Sequence, residues 1–147
     1  MGMERRMGAC LGLVACFAAA AVIVLAQSQS SLVRAAPNVL FVSPSGTGTA
    51  CTQAAPCGLQ TARALAHTGD TLYVAAGVYA GDGDAVITLT LSLTLYGGWN
   101  GAPTGPVVRN PSLWPSTLDG QTQRRCVYIE AGTAPTVDGF TLTRGSA

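Results

Sequence analysis

Four short segments led by threonine recur along the chain: Thr71-Leu72-Tyr73, Thr94-Leu95-Tyr96, Thr117-Leu118-Asp119 and Thr136-Val137-Asp138. They are spaced 23, 23 and 19 residues apart, and three of them run into glycine at Gly97, Gly120 and Gly139. A period of twenty-odd residues marks a solenoid, whose units are too thin to bury an apolar face except against their neighbours. Leucine-rich repeats share that period. Their leucine and asparagine template is absent here and no helix recurs in each unit, so the repeat points to β structure.

The apolar pattern agrees. From Ile87 to Leu95 the odd positions are Ile87, Leu89, Leu91, Leu93 and Leu95, and the even ones are Thr88, Thr90, Ser92 and Thr94. Strict alternation of this kind predicts a strand with one buried face and one hydroxyl-bearing face. Val127 and Ile129, then Phe140 and Leu142 between Thr141 and Thr143, continue it, with glycine breaks at Gly97-Gly98, Gly105 and Gly132. One helix is predicted over Leu59–His67, because Leu59, Ala62, Leu65 and Ala66 share a face and Gly69 is placed to end it. It precedes the first strand, Thr71–Ala75, where a solenoid needs a cap over its terminal core.

The first residues form a targeting segment. Glu4, Arg5 and Arg6 precede twenty uncharged residues, Met7 to Ala26, after which Gln27 to Ser31 turn polar. Small residues around Ala26 suit cleavage by a signal peptidase. The same run is long enough to span a bilayer as an uncleaved anchor, with Arg5 and Arg6 held inside. Leu13-Val14-Ala15-Cys16 is a third option, a lipobox. In each case residues beyond about 30 lie outside the cytoplasm, where disulfides form. The expected organisation is therefore a signal peptide or anchor at 1–26, a linker at 27–38, a cap with a cysteine loop and helix at 39–70, and the first β units at 71–147.

Charge excludes whole classes of function. Only 10% of residues are charged, the formal net charge is +1, and all eight basic residues are arginine. A basic nucleic-acid surface is ruled out. Lysine-based phosphate chemistry is unavailable to the chain, and its one His, His67, is expected to be a solvated helix residue.

Few residues remain as candidates for chemistry. Cys51 and Cys57 enclose five residues outside the cytoplasm and are expected to form a disulfide pinning the loop before the helix. Two thiols with no histidine nearby make a poor zinc site. Cys126, next to Val127 in a strand, reads as a small buried residue. Equating the four triplets puts Asp119 and Asp138 at equivalent places on successive units, roughly 5 Å apart. Such a pair could hold Ca²⁺ or share a proton, with Arg124 and Arg125 close in sequence, although Asp-Gly is also an ordinary turn pair. Asp82 and Asp84 read as an exposed turn. Tyr96, Trp99 and Trp114 flank a proline-rich loop from Gly97 to Ser116. They are candidates for stacking on sugar rings or for a small satellite core. No cofactor is expected beyond that Ca²⁺ option.

Several of these segments carry a resemblance. Phe41-Val42-Ser43-Pro44-Ser45-Gly46, Cys51, Pro56-Cys57, Gly69-Asp70-Thr71-Leu72-Tyr73-Val74 and Gly77-Val78-Tyr79 resemble the opening of exported bacterial right-handed parallel β-helix proteins of the pectin-lyase-like fold. Leu93-Thr94-Leu95-Tyr96-Gly97-Gly98-Trp99 and Val137-Asp138-Gly139-Phe140-Thr141-Leu142-Thr143-Arg144-Gly145 are similar to their first rungs. The resemblance covers about residues 39 to 147. It implies an all-β fold, a right-handed parallel β-helix with a short N-terminal capping helix, truncated after its first rungs, since members of the family carry many more. The fold hosts polysaccharide lyases and hydrolases as well as adhesins. The expected function is non-catalytic: a secreted or cell-surface module for binding, adhesion or display, with a polysaccharide or other surface ligand as partner and a membrane contact only through an uncleaved N-terminus. The alternatives are the N-terminal part of a polysaccharide lyase or hydrolase whose active rungs are absent, and a nonfunctional fragment.

Overall fold

In a computed structural model, residues 36–147 are described; the expected signal peptide or anchor at 1–26 and the expected linker up to residue 35 lie outside the described residues. The elements are β1 (Val39–Val42), α1 (Leu59–Leu65), β2 (Thr71–Ala75), β3 (Gly77–Ala80), β4 (Ala85–Leu89), β5 (Thr94–Trp99), β6 (Ser116–Asp119), β7 (Arg125–Ile129), β8 (Thr136–Asp138) and β9 (Phe140–Thr143). Among the described residues the class is all-β with one short helix. The described residues form three sheets, ordered β1-β2-β5-β8, β3-β6-β9 and β4-β7. Every strand pairing within them is parallel. From β2 onward the chain visits the three sheets in rotation, and each visit adds a strand beside the last.

Register follows from burial. Leu72 pairs with Leu95 and Leu95 with Val137, Tyr79 with Leu118 and Leu118 with Leu142, Ile87 with Val127 and Leu89 with Ile129. Because side chains alternate between faces, a slip of one residue would turn each of these series toward water. Leu72, Ile87, Leu95 and Leu118 are fully buried, and one apolar cluster draws on all three sheets, α1, Cys51 and Cys57. Parallel sheets with long crossovers have no local turn to fix their pairing, so this inner row of aliphatics sets it.

Two strand readings are corrected. The alternation Ile87–Leu95 is not one strand but two, β4 and β5, joined by a bend at residues 90–93. Leu89, Leu93 and Leu95 are nonetheless buried and Leu91 packs on them. A period of two survives a corner whose residues stay extended, so it cannot locate the corner. The equation of the four triplets also fails at one place. Thr71, Thr94 and Thr136 do align on one sheet, but Thr117 lies on another, between Val78 and Thr141. Thr71 to Thr94 and Ser116 to Phe140 keep the short period. The long loop between β5 and β6 delays every strand that follows it by one insertion.

The helix is shorter than expected, ending at Leu65 with Ala66 already extended. His67 follows it, and its side chain is exposed as expected. Leu59, Ala62 and Ala66 are buried, whereas Leu65, assigned to the same face, is 42% exposed. A two-turn helix cannot present four positions to one surface once its last turn unwinds. Gly69 is not its terminator: with φ 96° it opens the turn into β2, its N–H donating to the Ser92 carbonyl. The helix packs on β1 and β4, and Gln60 donates Nε2–H to the Val86 carbonyl at 2.7 Å. Asp70, buried at the head of β2, accepts the N–H groups of Asn38 and His67 and so draws β1 alongside.

The inner row yields a direct comparison. Leu95→Ala should cost about 2–5 kcal/mol, the range for a large-to-small change in a packed core. Leu65→Ala should stay within about 0.5 kcal/mol. Urea denaturation of the two variants measures both, and equal losses would contradict the helix face described above.

Candidate functional site

The aromatic residues assemble on the outer side of the β1-β2-β5 sheet. Phe41, Tyr73 and Tyr96 are register partners on adjacent strands. Their rings stack at 5.7 Å between centroids for each neighbouring pair. Trp99 is fully buried beside them, its centroid 5.0 Å from that of Phe41, with Ala75 and Val107 completing the layer. Arg109, from the loop, lies 4.1 Å over the free face of Tyr96, a cation–π contact. Each face of Tyr96 therefore already has a protein partner. Of the three residues considered for sugar stacking, Trp99 is removed by burial and Tyr96 by its two neighbours, while Trp114 is half-buried at the far end of the loop. Of the three, Trp99 alone belongs to the small apolar cluster, with Phe41, Ala75, Tyr73 and Val107. Sequence reasoning missed Phe41 and Tyr73 as its members, although their place two residues into a strand, like that of Tyr96, carried the signal.

Arg109 also joins this layer to an acidic residue. Its Nε–H donates to the Gly97 carbonyl at 2.9 Å and its Nη2 to the Asp138 carboxylate at 3.3 Å. Asp138 is the register partner of Tyr96 on β8. Asp119 belongs to another sheet, beside Thr143 of β9. The two carboxylates are thus not stacked on successive strands, because the long loop shifts Asp119 onto the second sheet. Each has its own arginine, Arg144 for Asp119 and Arg109 for Asp138. Arg124 and Arg125 pair with neither; Arg124 donates to Gln123 and Arg125 lies over the Tyr128 ring.

Asp119 closes a turn as well as an ion pair. Its Oδ1 accepts the Gln121 N–H and the Arg144 Nε–H, both at 2.9 Å, and Oδ2 accepts from Arg144 Nη2. The Arg144 hydrogen bond is the main cause, with the Gln121 N–H second, that holds this carboxyl below its ordinary value of 3.8. Gly120 follows in a tight approach, where an added Cβ would meet the backbone carbonyls of Arg124 and Arg144. Asp82 and Asp84 lie in an exposed bend. Among the described residues no three His, Cys, Asp or Glu side chains come together as a metal-holding group.

The cysteines are arranged as expected. Cys51 and Cys57 are disulfide-bonded, and Cys126 is free and buried, its thiol donating to the Thr143 carbonyl at 3.3 Å. Cys126 also helps line a depression of about 440 Å³ between β7 and β9, with Arg125, Val127, Leu142 and Arg144. Inside the disulfide loop, Gln53 donates Nε2–H to the carbonyls of Ala102 and Gly105 at 3.1 Å each. Nothing in the sequence marks Gln53, since its partners are about fifty positions away. Tyr79, whose phenol is pushed up by burial, donates to the Ala75 carbonyl. Comparison of the chain with protein-family models, curated proteins and solved structures finds no match.

Two measurements follow from this chemistry. Because the folded carboxyl of Asp119 titrates below 3.8, its stabilising contribution is complete above that value and is lost as pH falls through the lower folded one. Asp119→Asn should therefore destabilise the chain most at neutral pH, and the gap to the unsubstituted protein should narrow as pH drops below 3.8. Denaturation across a pH series checks this, and a gap constant with pH would contradict it. Non-reducing peptide mapping should recover Cys51 joined to Cys57 and Cys126 alkylated.

Proposed function

We propose that this chain is an exported, non-catalytic segment of a right-handed parallel β-helix that serves as a scaffold for binding, adhesion or display on or outside the cell. The observation that carries the reading is the rotation of the chain through three parallel sheets whose inward side chains meet in one apolar cluster. Stacking of this kind turns a threonine-rich, low-charge sequence into a rigid rod face. Export is supported by the Arg5-Arg6 start and the apolar run to Ala26, and the Cys51–Cys57 bond suits an oxidising compartment.

A binding role is supported by what the last strands leave exposed. Val137, Leu142 and Ile129 are 37, 56 and 48% exposed, yet their register partners Leu95, Leu118 and Leu89 are buried. These exposed side chains lie one on each of the three sheets, and we take them as candidate contacts for another polypeptide. A non-catalytic role is supported by the commitment of Asp119 and Asp138 to Arg144 and Arg109, which occupies the two carboxylates that lyase chemistry would need free. The ligand class we favour is a polysaccharide or another surface polymer.

Export is tested by fusing residues 1–40 to a reporter that is active only outside the cytoplasm. Activity is expected, and cytoplasmic retention would overturn the reading. Catalysis is tested by incubating the purified chain with polygalacturonate, with and without Ca²⁺. No unsaturated or shortened oligosaccharide should form. A Ca²⁺-dependent product lost in Asp119→Ala or Asp138→Ala would replace the scaffold with an enzyme.

A further inference from the structure

We propose that the Cys51–Cys57 loop is a redox-sensitive latch that holds residues 100–115 closed over the aromatic layer, with Gln53 as its bolt. Three observations converge on this. The first is reach: the two hydrogen bonds from Gln53 join the disulfide loop to Ala102 and Gly105. Among the described residues, these are the bonds to the first half of the long loop that come from outside β5 and the loop itself; Asn100 N–H to Val108 and Ala102 N–H to Asn100 Oδ1 are internal.

The second is how the bolt is set. Cys51 has φ 50°, a left-handed conformation that a residue with a side chain adopts at a cost, and the disulfide closes a loop of six residues' separation upon it. The Cys51 carbonyl accepts the Phe41 N–H at 2.8 Å, and the Cys57 N–H donates to the Phe41 carbonyl at 3.0 Å. The disulfide and these hydrogen bonds together fix Gln53 relative to Phe41, the strand residue that begins the aromatic stack. The third is what the loop covers. Trp99 Nε1 is buried without a hydrogen-bond partner among the described residues, and a buried donor of this kind gains when a water can reach it. The covered state is held against this gain, so loss of the bolt favours opening.

Opening is a thiol–disulfide exchange. A thiolate of an external dithiol attacks one sulfur of the Cys51–Cys57 bond, and its second thiolate resolves the mixed disulfide. The dithiol leaves as a cyclic disulfide, and the two electrons and two protons it gives up leave Cys51 and Cys57 as thiols. Both cysteines are fully buried, so exchange waits on local opening of the 51–57 turn. Freed of the bond, Cys51 can leave its left-handed conformation and Gln53 loses its aim.

The test uses the full chain with and without excess dithiothreitol, with reduction verified by alkylation of Cys51 and Cys57. Amide hydrogen exchange is read at Asn100, Leu72 and Leu95, and tryptic nicking is read after Arg109. Reduction should speed exchange at Asn100 by roughly 5- to 150-fold, the effect of losing two hydrogen bonds of ordinary strength. It should also speed nicking and leave Leu72 and Leu95 protected. Oxidised Gln53→Ala should reproduce both changes, and reducing that variant should add nothing, since bond and bolt act in series. Three results would overturn the latch: verified reduction with Asn100 unchanged, additive effects of reduction and Gln53→Ala, or simultaneous loss of protection at Leu72 and Leu95. The last would mean that the bond holds the sheet rather than the loop.

Discussion

Every other feature of this protein depends on the stacking of one buried aliphatic side chain upon the next between parallel strands in register. Leu72 on Leu95 and Ile87 beneath Val127 belong to series that run across the strands, not along them. Each fully buried leucine contributes on the order of 1.5–3 kcal/mol, and that gain is available at a single register. The hydroxyl-rich even positions can then face water or neighbouring backbone at little cost, which is why so few charges suffice.

Once the inner row is set, the outer side of one sheet becomes a second place to bury surface. The aromatic stack of Phe41, Tyr73 and Tyr96 uses the same register as the leucines, displaced by one residue to the opposite face. The loop between β5 and β6 lies over it, pinned by Gln53 near its start and by Arg109 at its middle. Ser116, fully buried where the loop enters β6, accepts the Gly98 N–H and donates to carbonyls at the end of β2. Gly97 leaves no room for a side chain because a Cβ would meet the Gly139 carbonyl. Polar contacts of this kind satisfy backbone groups at the corners, where sheet hydrogen bonding lapses.

The charged residues follow the same logic. Asp119 with Arg144, and Asp138 with Arg109, each tie one pass of the chain to the next. Asp119 closes its own turn besides, as an Asp before glycine is suited to do. Their positions near glycine turns made them conspicuous as candidate chemistry, but their partners are structural. A carboxylate that accepts from both a backbone N–H and a guanidinium is stabilised as an anion and is a poor proton carrier near neutral pH.

The sequence by itself determined what depends on local pattern: the all-β class, the short period, the inward rows of leucine and isoleucine, the short helix, and the pairing of Cys51 with Cys57. These are legible because alternation, glycine breaks and a six-residue cysteine separation act over a few neighbouring residues. Tertiary structure decided which sheet each strand joins. It moved Thr117 and Asp119 off the sheet of Thr94 and Asp138, ended the helix before Leu65 could be buried, and divided the Ile87–Leu95 alternation between two sheets. It also chose Gln53 and Arg109 as the pins of the long loop. The physical reason is plainest for Thr117 and Asp119. An insertion such as the β5–β6 loop changes the distance along the chain without changing the distance between strands, and only packing in three dimensions registers the second.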